Sequence, residues 1–143
     1  MQKATSSHST PFAVCALLRR SDGRYLLIRR ADSLPGGGHW CPITGRPETG
    51  EAHAEAVARE VLEEVGLHVQ VKQEIFRCPT SDGRFTLCWH PCEPVSSDDA
   101  YAPLTLEARE VSEARWLTAR EASSQEPTFE ATAAFFKRLS LAE

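Results

Sequence analysis

The 143-residue chain lacks a long apolar run: the longest, Phe12 to Leu18, is far short of the roughly 20 residues a membrane-spanning helix needs. No membrane span is expected. A basic excess is missing too, since 16 Lys and Arg stand against 20 Asp and Glu for a formal net charge of −4. That balance gives no basis for stable nucleic-acid binding or a membrane-surface role, both of which need a basic face. Residues 1–11 have no hydrophobic segment behind a basic start; they are polar, rich in Ser and Thr, and expected to form a flexible tail. The five cysteines, Cys15, Cys41, Cys78, Cys88 and Cys92, are odd in number and irregular in spacing, which favours reduced thiols and a cytoplasmic protein. Cys88-Trp89-His90-Pro91-Cys92 looks like half of a metal site, but no second CxxC-type half accompanies it, so structural zinc is not expected. No linker divides the chain, and residues 12–141 read as one domain.

What is present is a set of strand-like runs around one clear helix. Phe12 to Arg20 reads as a buried strand and Tyr25 to Arg30 as its hairpin neighbour, joined by Ser21-Asp22-Gly23-Arg24. The same four letters recur at Ser81 to Arg84, between a run from Val69 to Cys78 and another from Phe85 to His90. In the latter, Phe85, Leu87 and Trp89 alternate with Thr86, Cys88 and His90, the period of a half-buried strand. Ala31 to Pro47 holds four glycines, with Pro35 and Pro42 flanking His39-Trp40, and reads as a long, functional loop. Thr49 to Val65 is predicted helical, with an apolar stripe of Ala54, Val57, Ala58, Val61 and Val65 and with Gly66 at the C-terminal cap. Glu93 to Glu107 reads as a second loop, Arg115 to Leu117 as a short last strand, and Thr118 to Glu121 has capping-box spacing. Thr128 to Leu141 completes the chain as an amphipathic helix.

Within the predicted helix, Glu60, Glu63 and Glu64 stand at i, i+3 and i+4, so their carboxylates share one face. Their mean direction lies about 120° from the expected apolar stripe at roughly 100° per residue. Three anions near the negative end of a helix dipole repel one another unless a cation joins them. Hard oxygen donors of this kind suit Mg²⁺ or Mn²⁺.

The segment Gly45 to Leu67, GRPETGEAHAEAVAREVLEEVGL, matches G-x5-E-x7-R-E-U-x-E-E-x-G-U (U aliphatic) at every specified position: Gly45, Glu51, Arg59, Glu60, Val61, Glu63, Glu64, Gly66 and Leu67. A chance match at one start position is on the order of 10⁻¹⁰ at ordinary residue frequencies. The chain thereby resembles the Nudix hydrolases. The resemblance implies an α/β fold, an α/β/α sandwich with a mixed sheet between helices. It also implies Mg²⁺- or Mn²⁺-dependent hydrolysis of a phosphoanhydride bond in a small nucleoside diphosphate-linked substrate. On that pattern Glu60, Glu63 and Glu64, with a backbone carbonyl near Thr44 or Gly45, would hold metal. Arg59 would orient a catalytic glutamate, Glu60 or Glu64, through a bidentate contact, while Glu51 and Gly66 would support the motif. A further acid from the loop before the last strand is expected at Glu110, with Glu107 and Glu113 as rivals. Arg29, His39, Trp40 and Trp89 are candidate substrate contacts. One departure from the family is Trp40-Cys41-Pro42-Ile43-Thr44-Gly45 where Pro-Gly-Gly often stands, so that Thr44 replaces a glycine. A non-nucleotide diphosphate substrate and a non-catalytic ligand-sensing domain are the alternatives, and a homodimer is left open.

Overall fold

The computed structural model describes residues 10–143; all but the last two positions of the expected tail lie outside it. Eight strands form, β1 (Phe12–Leu18), β2 (Tyr25–Arg30), β3 (Trp40–Cys41), β4 (Thr44–Gly45), β5 (Val69–Val71), β6 (Phe76–Pro79), β7 (Thr86–Pro94) and β8 (Val111–Leu117). The α-helices are α1 (His53–Val65), α2 (Ala119–Ser123) and α3 (Glu130–Ala142). One sheet runs β4-β1-β7-β5, with β6 also on β7, and the other runs β3-β2-β8. β1 and β7 are parallel and every other pair is antiparallel, so the architecture is α/β with a mixed sheet.

The expected hairpin between β1 and β2 is reduced to a single bridge, Arg19 to Tyr25, after which the two strands enter different sheets. The turn itself forms: Gly23 takes a φ of 86°, and Asp22 accepts from the Arg24 amide. The second copy repeats that chemistry, with Gly83 at φ 71° and Asp82 accepting from Arg84, and it does connect a true hairpin, β6 to β7.

Alternation along β1 and β2 divides the interior in two. Val14, Ala16, Leu18, Leu26 and Ile28 face α1 together with Val57, Val61 and Val65. Ala13, Cys15, Leu17, Tyr25 and Leu27 face the other way, against Phe136 of α3 and Ala119 and Ala122 of α2. The strand layer thus lies between α1 and the C-terminal helices. Strands covered on both faces read as continuous apolar runs, which is why Phe12 to Leu18 shows no polar alternation.

α1 begins at His53 rather than Thr49, because Gly50 holds a φ of 80° that a helix does not allow. Glu55 then accepts from the Ala52 amide, and Gly66, at φ 71°, ends the helix by donating to the Leu62 carbonyl. The buried side keeps Val57, Val61 and Val65 of the expected stripe but adds Ala56 and Glu64, while Ala54 is exposed. At roughly 100° per residue Glu64 projects about 20° from Val57, inside the buried arc. The acids are therefore not a separate face of α1.

Candidate active site

Arg59 organises the box. Its Nε donates to Glu51 Oε2 at 2.8 Å and one terminal nitrogen to Glu51 Oε1 at 2.9 Å, a bidentate pair. That same nitrogen reaches the Arg46 carbonyl at 3.1 Å, and the other donates to Glu60 and Glu63, each at 3.2 Å. The bidentate contact expected with a catalytic glutamate is thus made with Glu51, and Glu60 receives a single bond. Glu51 in turn accepts from the Glu48 amide, closing the turn that precedes α1. The Arg59 guanidinium beside Glu51 holds its carboxyl down at about 2.

A depressed folded pKa means that the Glu51 contribution is present above the ordinary carboxylate range and is lost as pH falls through about 2. Glu51→Gln is expected to melt below the parent at neutral pH, with the gap closing as pH is lowered from 5 toward 2. A gap that stays constant across a pH series of thermal melts would rule out this ion pair as its cause.

Glu60, Glu63 and Glu64 diverge in environment. Glu63 is exposed, Glu60 is half-buried and Glu64 is only 4% exposed. Burial raises both Glu60 and Glu64, and their carboxyls are within hydrogen-bonding reach of each other. Arg59 pulls Glu60 back down, whereas the negative field of Glu60 and Glu110 pushes Glu64 further up. Without a cation the pair therefore retains a proton on the Glu64 side well above the ordinary carboxylate range, because two neighbouring carboxylates, one of them buried, do not both ionise.

The close approach of β4 to α1 fixes Glu60. A Cβ on Gly45 would sit 2.1 Å from Glu60 Oε2 and 2.2 Å from its Cδ, so the Glu60 carboxyl lies directly on the glycine backbone. Gly45 and Thr44 are held in turn by pairing with Val14 and Cys15 of β1. Thr44, where a glycine often stands, donates its hydroxyl to the Pro42 carbonyl at 2.9 Å. The departure from the family pattern is absorbed inside the loop and leaves the Gly45–Glu60 contact intact.

Of the three candidate acids, Glu107 is held by Arg109 at 3.2 Å, and Glu113, which lies within β8 because the last strand begins at Val111 and not at Arg115, by Arg115 at 2.7 Å. Glu110 is exposed, has no salt bridge among the described residues, and contributes its field to Glu60 and Glu64. Its carbonyl also accepts from Ala31, joining this loop to the end of β2. If Glu110 reaches the reacting groups, Glu110→Gln should lower kcat about 10²-fold and Glu113→Gln far less. The reverse order in steady-state kinetics would move the role to Glu113.

Three of the four candidate substrate contacts, Trp89, Trp40 and Arg29, lie on the face of the sheet away from this cluster. Trp89 is fully buried, stacked on Phe135 with ring centroids 4.0 Å apart, on the face of the sheet away from α1. An indole buries about 150–250 Å², or roughly 4–6 kcal/mol of transfer free energy at 25 cal/mol per Å², so it stays in the core. Trp40 is buried in that same core beneath the Arg115 guanidinium. Both tryptophans are corrections: neither offers a free face to a base. Arg29 pairs with Trp40 and Glu113 and follows them to the far side. The basic side chain whose charge reaches Glu64 is its neighbour Arg30. His39 stacks on Phe129 at 4.7 Å, and its Nδ1 is buried without a partner among the described residues. The sequence signal for the tryptophans was aromaticity, which does not specify a face; for Arg30 it was the period of β2, which the irregularity at Arg29/Arg30 interrupts.

Known proteins agree with this geometry. Residues 9–139 match the NUDIX domain. The chain belongs to the Nudix family. It is similar to a MutT-like protein of Streptomyces ambofaciens, 38% identical over 100 residues, a match covering 57% of this chain and 60% of that protein's length. Its fold is similar to the crystal structure of a MutT protein from Methanosarcina mazei, with a TM-score of 0.73, 24% identity and coverage of 94% and 96% of the two chains. An Ap4A hydrolase of C. elegans is similar at a TM-score of 0.67 and 16% identity, covering 91% of this chain and 96% of that one. In this Nudix chain, then, the box residues Gly45, Glu51, Arg59, Glu60, Glu63, Glu64 and Gly66 belong to one loop–helix unit on the sheet.

Proposed function

We propose that this Nudix protein hydrolyses a phosphoanhydride bond in a nucleoside diphosphate-linked small molecule, with Mg²⁺ or Mn²⁺ as cofactor. The observation that carries the reading is the Glu60–Glu64 pair, a half-buried and a buried carboxyl within hydrogen-bonding reach, the first set against the Gly45 backbone, with the charge of Glu110 felt at both. So much carboxylate in a half-buried place is unfavourable alone and favourable around a hard divalent ion. The donor set is all oxygen, as such an ion requires, with Glu60, Glu63 and Glu64 as its holders and the Thr44 or Gly45 carbonyl next to them. When bound, the ion would neutralise the diphosphate and acidify a water. The chain's own part is to position: Arg59 and Gly45 hold Glu60, burial holds Glu64, and the charge of Glu110 reaches both. The hydrolase character of the family and the Ap4A hydrolase among its structural relatives support a nucleotide-type substrate. The free and mostly buried cysteines suit a reducing, cytoplasmic compartment, and among the described residues no helix is long and apolar enough to cross a membrane.

The test is a panel of nucleoside triphosphates, dinucleotides and sugar nucleotides assayed for phosphate or pyrophosphate release. Turnover is expected with Mg²⁺ or Mn²⁺, should vanish in EDTA, and should return when the ion is restored. Undiminished activity in chelator would sink the metal assignment, and turnover of non-nucleotide diphosphates alone would replace the substrate class.

A further inference from the structure

A second cluster of metal-ligating side chains lies at the other end of α1. His53 opens the helix, His90 stands in the middle of β7, and Glu74 lies between β5 and β6. One ligand atom from each falls within 4.8 Å of the others. We propose that His53, Glu74 and His90 form a binding site for a zinc-class transition-metal ion, separate from the glutamate cluster of the box.

The tautomer of His90 supplies the first argument. Its Nδ1 lies 3.0 Å from the Lys72 carbonyl, and a carbonyl only accepts, so Nδ1 carries the proton. Nε2 therefore presents a bare lone pair. The residue is 5% exposed, and this Nε2 is buried with no hydrogen-bond partner among the described residues. A buried acceptor left without a donor is costly and rare. An imidazole anchored by Nδ1–H to a carbonyl, with Nε2 free, is the arrangement a metal-binding histidine adopts.

The fold explains why the three meet. Cys88 and Cys92, two residues either side of His90, lie in the core on the α1 side, so His90 points toward α1. His53, seven and eleven residues before Glu60 and Glu64, is on their side of the helix, roughly 10 and 16 Å away along its axis. The chain leaves the β5 ladder at Lys72 and rejoins β7 at Phe76; bonds from Lys72 to Pro91 and from Ile75 to Trp89 hold this short loop over His90. Arg77 pairs with Glu74 and fixes its carboxylate over this side of the sheet. The Phe12 ring walls the site, 5.1 Å from the His53 ring and beneath the Arg77 guanidinium.

The donor set decides the class of ion, two imidazole nitrogens beside one carboxylate. The single anion Glu74 is already balanced by Arg77, and the positive end of the α1 dipole adjoins His53. Mg²⁺ or Ca²⁺, which need several oxygens, gain nothing here; an ion that binds imidazole does. Four-coordinate zinc places its ligands about 3.3 Å apart for bonds near 2.0–2.1 Å. Rotation of the partly exposed His53 and Glu74 side chains supplies the remaining closure. Half of the metal site hinted at in Cys88 to Cys92 is therefore His90 alone, completed by α1 and a loop rather than by thiols.

The test is Zn²⁺ binding to the full chain, stripped with chelator and kept in excess Mg²⁺ to occupy the box, measured by competition with a chromophoric zinc indicator. One Zn²⁺ per chain is expected, with at least about 100-fold weaker binding in His53→Ala and in Glu74→Gln, and unchanged binding in Glu60→Gln. Melts without metal show that each variant is folded, and broadening of the two imidazole proton signals by Co²⁺ gives an independent reading in the parent. Absence of Zn²⁺ binding under Mg²⁺ overturns the proposal. So does binding that survives in both site variants or is lost in Glu60→Gln.

Discussion

Glu64→Gln is expected to lower turnover about 10³-fold, the upper range for losing one group that acts on the transition state, while leaving the metal-free protein at least as stable as the parent. The second half is the unusual one, since Glu64 is among the most buried polar residues of the chain. In the metal-free parent the Glu60–Glu64 pair keeps a proton that the unfolded chain releases once pH exceeds the ordinary carboxylate range. The folded state then binds more protons than the unfolded one, so stability falls as pH rises above that range. Glutamine has the same shape and nothing to ionise, so Glu64→Gln should gain on the parent toward pH 8 and match it near pH 4. Mg²⁺ at 100 times its Kd should stabilise the parent by about 2.7 kcal/mol and the variant by much less. Thermal melts in EDTA and in Mg²⁺, at two pH values, read all of this. A variant that melts lower in EDTA, or that keeps its full Mg²⁺ response, would make Glu64 a structural residue instead.

Gly45→Ala should damage the same site from the opposite side. The added methyl would overlap the Glu60 carboxyl at 2.1 Å, far inside van der Waals contact, and Gly45 cannot yield because it is paired with Val14. Glu60 must therefore swing away, breaking its bond to Arg59 and its contact with Glu64. Overpacking of this kind costs about 1–3 kcal/mol, and misplacing Glu60 should remove 10²-fold or more of the turnover. Gly66→Ala is the informative partner. It meets Thr105 rather than a box glutamate, so it should lose stability through its positive φ and keep most of its kcat. Equal kcat losses in the two variants would show that α1 as a whole, and not the Gly45–Glu60 contact, had been disturbed.

Parts of this arrangement were legible before any coordinates. Tyr25 to Arg30 forms the strand its composition indicated, both Ser-Asp-Gly-Arg segments turn through an Asp-capped glycine, and Thr118 with Glu121 closes a reciprocal capping box. These features depend on neighbours within a few residues. Three other features differ from the sequence expectation for one shared reason. The partner of β1 is β7, about 74 residues away, rather than adjacent β2; Trp40 and Trp89 turned inward; and α1 rolled so that Ala54 is exposed and Glu64 buried. Each choice depends on what lies across the interface.

The sequence by itself determined which residues could make the box, where α1 ends, and where the chain turns, since spacing, glycine φ and capping are local chemistry. It left the azimuth of α1 open because two of its five apolar candidates, Ala54 and Ala58, are alanine, and alanine gains too little on burial to settle a rotation of some 60°. Tertiary structure decided that azimuth as α1 packed over β1, β4 and β5, with Val57, Val61 and Val65 in the shared core. With it came the burial of Glu64, the seating of Glu60 on Gly45, and the convergence of His53 with His90 and Glu74, all contacts between segments that only the packed sheet brings into reach.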